Sequence, residues 1–566
     1  MLILSKKIFF RHIFFLCALF PLGISAQDPL LNILRTELNR EMTEFQAISD
    51  SSDRPYFISF RVDETKSATV RASLGSLIYS RTSHHRIFTP MVRIGSYRMD
   101  NYHQIRETSA MNRTEPSYIP VDDSPEAISQ TIWWMTDQTY KNAVERYEKA
   151  KSNLAVKVKE EDSSDDYTPQ QPVKYFEPEL KDDYLRFNRA EWEKKLCRYS
   201  EPFEKSADII DGWANISVQT VRKYYLSSEG TEVAHNQVYI HLTIGATVKA
   251  DDGMDLPLQH SWFALTVGHL PSDREVLAQA ALMIAKLEKM KQAPVVDAFS
   301  GPALLSAEAA GVFFHEIFGH RTEGQRMRLE SDGQTFKKKI GEAVLPPFLT
   351  VYMDPAITKY KGTELNGSFR FDDEGVKGEK VMLVKNGILQ HFLMSRVPIE
   401  GFPASNGHGR AAPGYNPVTR QSNLIIETAQ PKSEKELRKA LKEELQRQSK
   451  EFGYYFASVT GGFTQTGRYT PNAFNVTPTE VYRVYADDRP DELVRGVDLV
   501  GTPLAMFSQI EQTGDQYGVF NGTCGAESGN IPVSCVSPML FVKQIEIQKK
   551  AKSQSKPPLL PKPAKE

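Results

Sequence analysis

The sequence predicts an α+β fold in two domains, an N-terminal domain of helices and antiparallel sheet and a mostly β C-terminal domain carrying a helix with a His-Glu motif. Three observations predict it. Apolar residues alternate with period two in many short runs of both halves, the pattern of half-buried strands. Ser272-Asp273-Arg274-Glu275 reads as a capping box before "VLAQAALMIAKLEKMKQ", and Ala293-Pro294 ends that helix, which places a domain boundary there. Beyond 294, strand-like runs outnumber helical ones.

The first residues, "MLILSKKIFFRHIFFLCALFPLGISAQDPL", have the parts of an export leader in order. Lys6, Lys7 and Arg11 precede an apolar run, and Ile24-Ser25-Ala26 gives a small-residue exit before Gln27. The run is about half the ~20 residues a membrane span needs. Residues 1–26 are therefore expected to be a signal peptide and the remainder to be exported into the periplasm, with no later segment able to span a bilayer.

Residues 27–293 form the expected N-terminal domain. The stretch "LLNILRTELNREMTEF" spaces apolar residues three and four apart, a helix. Next, "RPYFISFRVDE", "SATVRASLGSLIYS" and "RIFTPMVRIGSYRMD" alternate as an antiparallel meander. A long helix follows from Glu126, with Trp133, Trp134 and Tyr140 expected in a core. The acidic insert at about 156–183 is charged and poor in apolar residues, the composition of a solvated loop.

Residues 294–548 form the second expected domain. It opens with the strand and turn in "APVVDAFSGPALLS", and Ser306 is placed to cap the helix that follows. The runs "FLTVYMD", "GEKVMLVKNGILQHFLMS", "SNLIIETA", "FASVTGGF", "EVYRVYA" and "PMLFVKQIEI" read as strands, interrupted by a helix in "SEKELRKALKEELQRQSKEF". The Lys/Pro-rich tail, 549–566, is expected to be disordered.

With 69 basic against 71 acidic residues and no basic face, the composition argues against nucleic acid as a partner. After the leader three cysteines remain, Cys197, Cys524 and Cys535, an odd number that makes a poor disulfide framework.

The chemistry concentrates in "GVFFHEIFGH", residues 311–320. His315 and His320 are five apart, so on a regular helix their rings would point roughly 140° apart, unlike the four-apart pair that grips one metal. Either the pair is fortuitous or the backbone departs from a helix near Gly319. Glu316, beside His315, is placed to face a water rather than a metal. A catalytic zinc takes three protein ligands, and "NGTCGAESGNIPVSCVSP" offers Cys524 in what reads as a turn-rich loop. A Cys524–Cys535 disulfide, or Cys524 as a nucleophile, are the alternatives. Asp372, Asp373 and Glu374 read as a solvated strand end before a hard-metal site.

Together these motifs resemble the TldD/PmbA family of metallopeptidases, on the TldD side that keeps its metal motif. The family pattern His-Glu-x-x-Gly-His then Glu-Gly is matched by His315, Glu316, Gly319, His320, Glu323 and Gly324. Its Cys-Gly loop is matched by Cys524, Gly525, Pro532-Val533 and Pro538. "GSFRFDDEG", "KNGIL", the loop Asn406-Gly407-His408-Gly409-Arg410 and "VRGVDLVG" fall in the same order, and Arg321 stands where relatives usually have glycine. The resemblance implies that His315, His320 and Cys524 bind Zn²⁺, that Glu316 is the general base, and that the substrate is an unfolded or extended peptide. It also implies a dimer, with a second copy or with a paralogue; the alternative is a non-catalytic binding or scaffold subunit. Glu323 is a candidate partner for a ligand histidine, and His408 and Arg410 are candidates for substrate binding.

Overall fold

The computed structural model describes residues 28–105, 117–156, 162–181, 184–468 and 473–551, with positions 558, 560 and 563 of the tail. The leader expected at 1–26 and most of the tail lie outside the described residues. None of the helices among the described residues is long and apolar enough to cross a membrane.

The first half follows the order α1 (Pro29–Gln46), β1 (Pro55–Ser73), β2 (Ser76–Ile94), β3 (Ser117–Ile119), α2 (Pro125–Val156), β4 (Lys174–Phe176), α3 (Arg189–Lys205), β5 (Ile209–Ser227), β6 (Glu232–Lys249), β7 (Asp255–Ala264) and α4 (Asp273–Gln292). Its sheet runs β3-β2-β1-β5-β6, and β6 is flanked by β4 at its start and by β7 along the rest. The first two runs of the expected meander merge. β1 pairs without a break through Lys66 with both neighbours and turns only at Leu74–Gly75, where both residues have positive φ. The polar stretch Thr65-Lys66-Ser67 is no turn because its backbone bonds are taken by β2 and β5. A strand of 19 residues is about 60 Å long, more than one core can cover. Helices α1 and α2 therefore pack on Ile58, Phe60 and Val62 at one end, while α3 and α4 pack on Val70 and Ala72 at the other.

Trp133 and Trp134 are 45% and 54% exposed instead of buried. The stripe of α2 that meets the sheet is Ile128, Ile132 and Thr136, four apart, and the two tryptophans rotate about 100° and 200° away from it. Tyr140 does pack, against Phe45 at 4.6 Å between ring centroids.

The second half is mostly strand, from β8 (Phe299–Leu305) and α5 (Ala307–Ile317) onward. Its organiser is the 21-residue strand Gly529–Lys549. It pairs with Val497–Gly501, which pairs with Phe474–Tyr485, then Phe452–Thr464, then β8, and β8 pairs back with Gly529–Lys549, closing a ring. Strands Ile510–Ala526 and Asn423–Thr428 add to the same organiser. The fold class is α+β with a mostly β C-terminal part. The capping box at Ser272/Glu275 and the Ser306 cap form as expected, and a second box forms at Ser433/Glu436.

Most described residues of the insert are exposed or half-exposed as expected, but Asp162, Asp166 and Tyr167 are buried between the halves, and so are Asp372, Asp373 and Glu374. In the insert, Asp166 meets the His103 ring and the Arg328 guanidinium, and Asp162 accepts from Glu400 N. Tyr167 is 0% exposed, with the Arg93 and Arg396 guanidinium carbons 3.6 and 4.1 Å from its ring centroid. In the second stretch, Asp372 accepts from the backbone N–H groups of Glu374, Val376 and Gly409, Asp373 from Lys223 and Ala411 N, and Glu374 from Arg396 N. Composition suggests solvation for such runs. Here donors from distant segments replace the water.

Candidate metal centre

Helix α5 starts where the Ser306 hydroxyl accepts from Ala309 N at 3.2 Å. It is buried at every position from Ala309 to Ile317, packed among strands Phe452–Thr464, Ile510–Ala526 and Gly529–Lys549. That enclosure is why its sequence is apolar almost all round. The helix stops at Ile317. Phe318 departs to φ −114°, and Gly319–Thr322 forms a separate 3₁₀ turn. The five-residue spacing is thereby resolved: the His315 and His320 ring centroids are 4.9 Å apart. Gly319 contributes through space, not through an unusual φ. A Cβ there would lie 2.0 Å from Gln421 Oε1, and the same Gln421 amide donates to the carbonyl of His315. Arg321, fully buried, donates to the carbonyls of Glu316 and Ile317 and to Thr464 Oγ1, holding the helix end against the neighbouring strand.

Cys524 lies on strand Ile510–Ala526, not in an irregular loop, just before the hairpin into Gly529–Lys549. Its Sγ is 3.4 Å from His320 Nε2. One donor atom each from His315, His320 and Cys524 falls within 4.8 Å of the others, and all three side chains are buried. Cys535 is a different matter. Cys524 pairs with Ile531 and Cys535 with Phe520, so the two cysteines are displaced by four residues, about 13 Å along the ladder. A disulfide needs Cα atoms within about 7 Å. Both thiols are free.

The surroundings favour an ionised sulfur. Burial alone would raise the Cys524 thiol, but the His320 and His315 rings outweigh it and hold it well below the usual value. Burial would likewise lower His320, yet Cys524 and then Glu323 raise it to about 9. The Glu323 carboxylate faces His320 Nδ1 at 3.2 Å and accepts from Arg326 Nε at 2.8 Å. Despite complete burial it is held at about 2 by those two cations. With Nδ1 engaged by Glu323, Nε2 is the nitrogen of His320 left for a metal. Arg420, 0% exposed, donates from Nη2 to the Cys524 carbonyl at 2.7 Å and to its Sγ at 3.2 Å, and its Nε stands 3.8 Å from Glu323 Oε1.

Two imidazoles and a thiolate are a zinc donor set, and His315 Nδ1 is buried without a hydrogen-bond partner. The residues fit such an ion. They sit in the wall of a cavity of about 1030 Å³ between the two sheets. Glu316 lines the same wall, and burial raises its carboxyl. Its Cγ packs on Gly462, where a Cβ would come within 2.9 Å. His408 does not line this cavity. It is 0% exposed, bonded through its ring to Asn406 and Ser422, and pushed down to about 3 by burial. Arg410 spends one nitrogen on the carbonyls of Gln421 and Pro532 and lines a separate space of about 300 Å³. Arg420 and Gln421 have no counterpart among the residues the sequence singled out, and Arg321 stood out there only as a departure from the family pattern. The available clue was "TRQSN", five polar residues before an apolar strand, all 0% exposed.

The profile of the PmbA/TldA metallopeptidase C-terminal domain matches residues 300–549. A metalloprotease of Methanocaldococcus jannaschii is 31% identical over 231 residues, 41% of this chain and 47% of that protein. A zinc metalloprotease TldD homolog of Saccharolobus solfataricus is 26% identical over 252 residues, 44% of this chain and 51% of that protein. The chain thus spans about half the length of these relatives. TldE from Thermococcus kodakarensis superposes with a TM-score of 0.60 over 92% of this chain and 100% of its own, at 14% identity, a likeness of fold. Residues 300–549, which carry the His315/His320/Cys524 cluster, are thus similar to the C-terminal metallopeptidase domain of the TldD/PmbA family.

Proposed function

We propose that the protein is a zinc-dependent endopeptidase acting on unfolded or extended peptides. The observation that carries this reading is the convergence of His315, His320 and Cys524 in a cavity wall with Glu316 beside them. His315, His320 and Cys524 would hold the ion, which supplies Lewis acidity toward water and toward a peptide carbonyl. Glu316 accepts the proton of the attacking water and passes it to the leaving amine. Glu323 and Arg420 fix the orientation of His320 and Cys524. The cavity lies between two sheets, which suits a single extended chain better than a folded surface.

The test is metal content. The purified protein is expected to hold about one zinc per chain, and Cys524→Ala to lose it or bind it at least tenfold more weakly. Absence of zinc from both proteins would leave the non-catalytic subunit as the better reading. Gly462→Ala is expected to press on the Asn475 carbonyl and push Glu316 aside, lowering kcat roughly ten- to hundredfold with zinc content unchanged, measured on one peptide by steady-state kinetics. An unaltered kcat would remove Glu316 from its assigned place.

Two further elements belong to the proposal. The leader-like residues 1–26 direct export to the periplasm, which the N-terminal residue of the secreted form tests. The working unit is a dimer, with a second copy or a paralogue, which light scattering of the protein alone and with a paralogue tests.

A further inference from the structure

Of the three carboxylates in the large cavity that the proposed reaction does not use, Glu275, Glu308 and Glu527, only Glu308 is without a partner among the described residues. Glu308 lies in the first turn of α5 and, with Val312, His315 and Glu316, forms the face of the helix that lines the cavity. Eight residues separate it from Glu316, about 12 Å along the helix axis. It forms no hydrogen bond or ion pair among the described residues. Its side chain is exposed to the cavity space, the walls around it raise its carboxyl, and no neighbouring cation offsets this.

The other ionisable groups of that wall are accounted for. Arg326 is committed to Glu323 and Glu527, His269 meets Glu364, and Glu275 accepts from the backbone and hydroxyl of Ser272. His241 and His260 are pushed down by burial, which favours their neutral rings. A carboxylate at a helix start gains from the helix dipole. Such a gain is available on the solvent side of any helix and needs no position inside a cavity. A carboxylate open to the cavity that faces no cation of the protein is free to meet one carried by a bound chain.

We infer that Glu308 is a specificity residue that receives a cationic group of the substrate, the ammonium or guanidinium of a basic residue or of the peptide N-terminus, about three residues from the bond cleaved. The inference deepens the peptidase reading and rests on it. The spacing follows from geometry: an extended chain advances about 3.3 Å per residue, so 12 Å corresponds to three or four residues, shortened by the reach of a basic side chain. The groove from Glu308 to His320 has α5 as its floor, Ser458–Thr464 and Val519–Ala526 at its sides, and His260, Trp262 and Phe263 of β7 opposite. A peptide lying in it has its backbone near Glu316 and one side chain over Glu308.

The experiment uses extended peptides in which one lysine is moved along either side of a fixed cleavage site, each matched by a norleucine peptide. In the zinc-loaded wild type, the kcat/KM ratio of lysine to norleucine is expected to peak at roughly tenfold, about three residues from the cleaved bond and on one side only. In Glu308→Gln the ratio falls to within about twofold of one. N-terminal acetylation of the peptides separates the two sources: a preference that survives belongs to the side chain, and one that vanishes belongs to the terminal amine. A ratio near one in the wild type for both acetylated and free peptides, or a preference equal in wild type and Glu308→Gln, overturns the inference. The same peptides, fluorescently labelled, are bound to Glu316→Gln and to the double variant Glu316→Gln/Glu308→Gln and followed by anisotropy. If the wild type cleaves nothing but the lysine preference in binding disappears with Glu308→Gln, the role of Glu308 stands and the peptidase reading falls.

Discussion

Glu316→Gln is expected to lower peptide hydrolysis roughly a hundred- to ten-thousandfold, the loss of a positioned general base, while zinc content stays near one per chain. Glutamine keeps the length and the packing on Gly462 but accepts no proton from water. The backbone at 316 is fixed independently, since the Arg321 guanidinium holds its carbonyl at 2.8 Å. The substitution therefore changes the chemistry with little change in place. The fall should appear in kcat, with KM within about a factor of a few. Full activity in this variant would mean that another group moves the proton, and alkylation of Cys524 would then show whether a thiol nucleophile replaces it.

Arg420→Leu has the second large expected effect, on both stability and metal retention. The guanidinium touches the Cys524 sulfur beside the His320 ring, and it also holds the Cys524 and Gly529 carbonyls and the Ser528 hydroxyl. Removing one member of a buried charge group costs about 3–5 kcal/mol, because the partner left behind stays buried and uncompensated. Here Glu323 also loses a cation 3.8 Å away, which shifts the burden to His320 and Arg326. The variant should unfold at lower denaturant concentration and release zinc faster to a chelator. A denaturation midpoint and chelator rate equal to wild type would show that Arg420 is passive filler.

Much of this architecture is readable in the sequence because it follows from local rules. The Ser272/Glu275 box and the Ser306 cap need only neighbours three residues away, and the strand alternation needs only the next residue but one. The cluster residues stood out through rare types in rare spacing. What stayed hidden depends on partners far along the chain. Gly319 is explained by Gln421, a hundred positions later, and Arg420 gains its meaning only once the Gly529–Lys549 hairpin delivers Cys524 to it. Cys524 itself reads as a loop residue because Gly, Ser, Asn and Glu around it are turn formers, yet the ladder with 529–533 makes it strand. The same blindness to distant partners explains Asp166 and Asp372–Glu374: a carboxylate in a list of polar residues gives no sign of the Arg328, Lys223 or Arg396 group that will cover it.

The buried acids between the halves also bear on how such a molecule changes over generations. Asp373 relies on Lys223 of β5, Glu374 sits among Arg396 and the strap around Tyr167, and Arg61 of β1 donates to the carbonyls of Ala412 and Tyr415. Either half on its own would expose orphaned charges that its own residues do not satisfy. The cleft is therefore inherited as a unit. Its roof on the first sheet and its floor on α5 cannot be exchanged with those of a distant relative one at a time, and new substrate preferences must arise by change within the groove rather than by recombination at Ala293-Pro294.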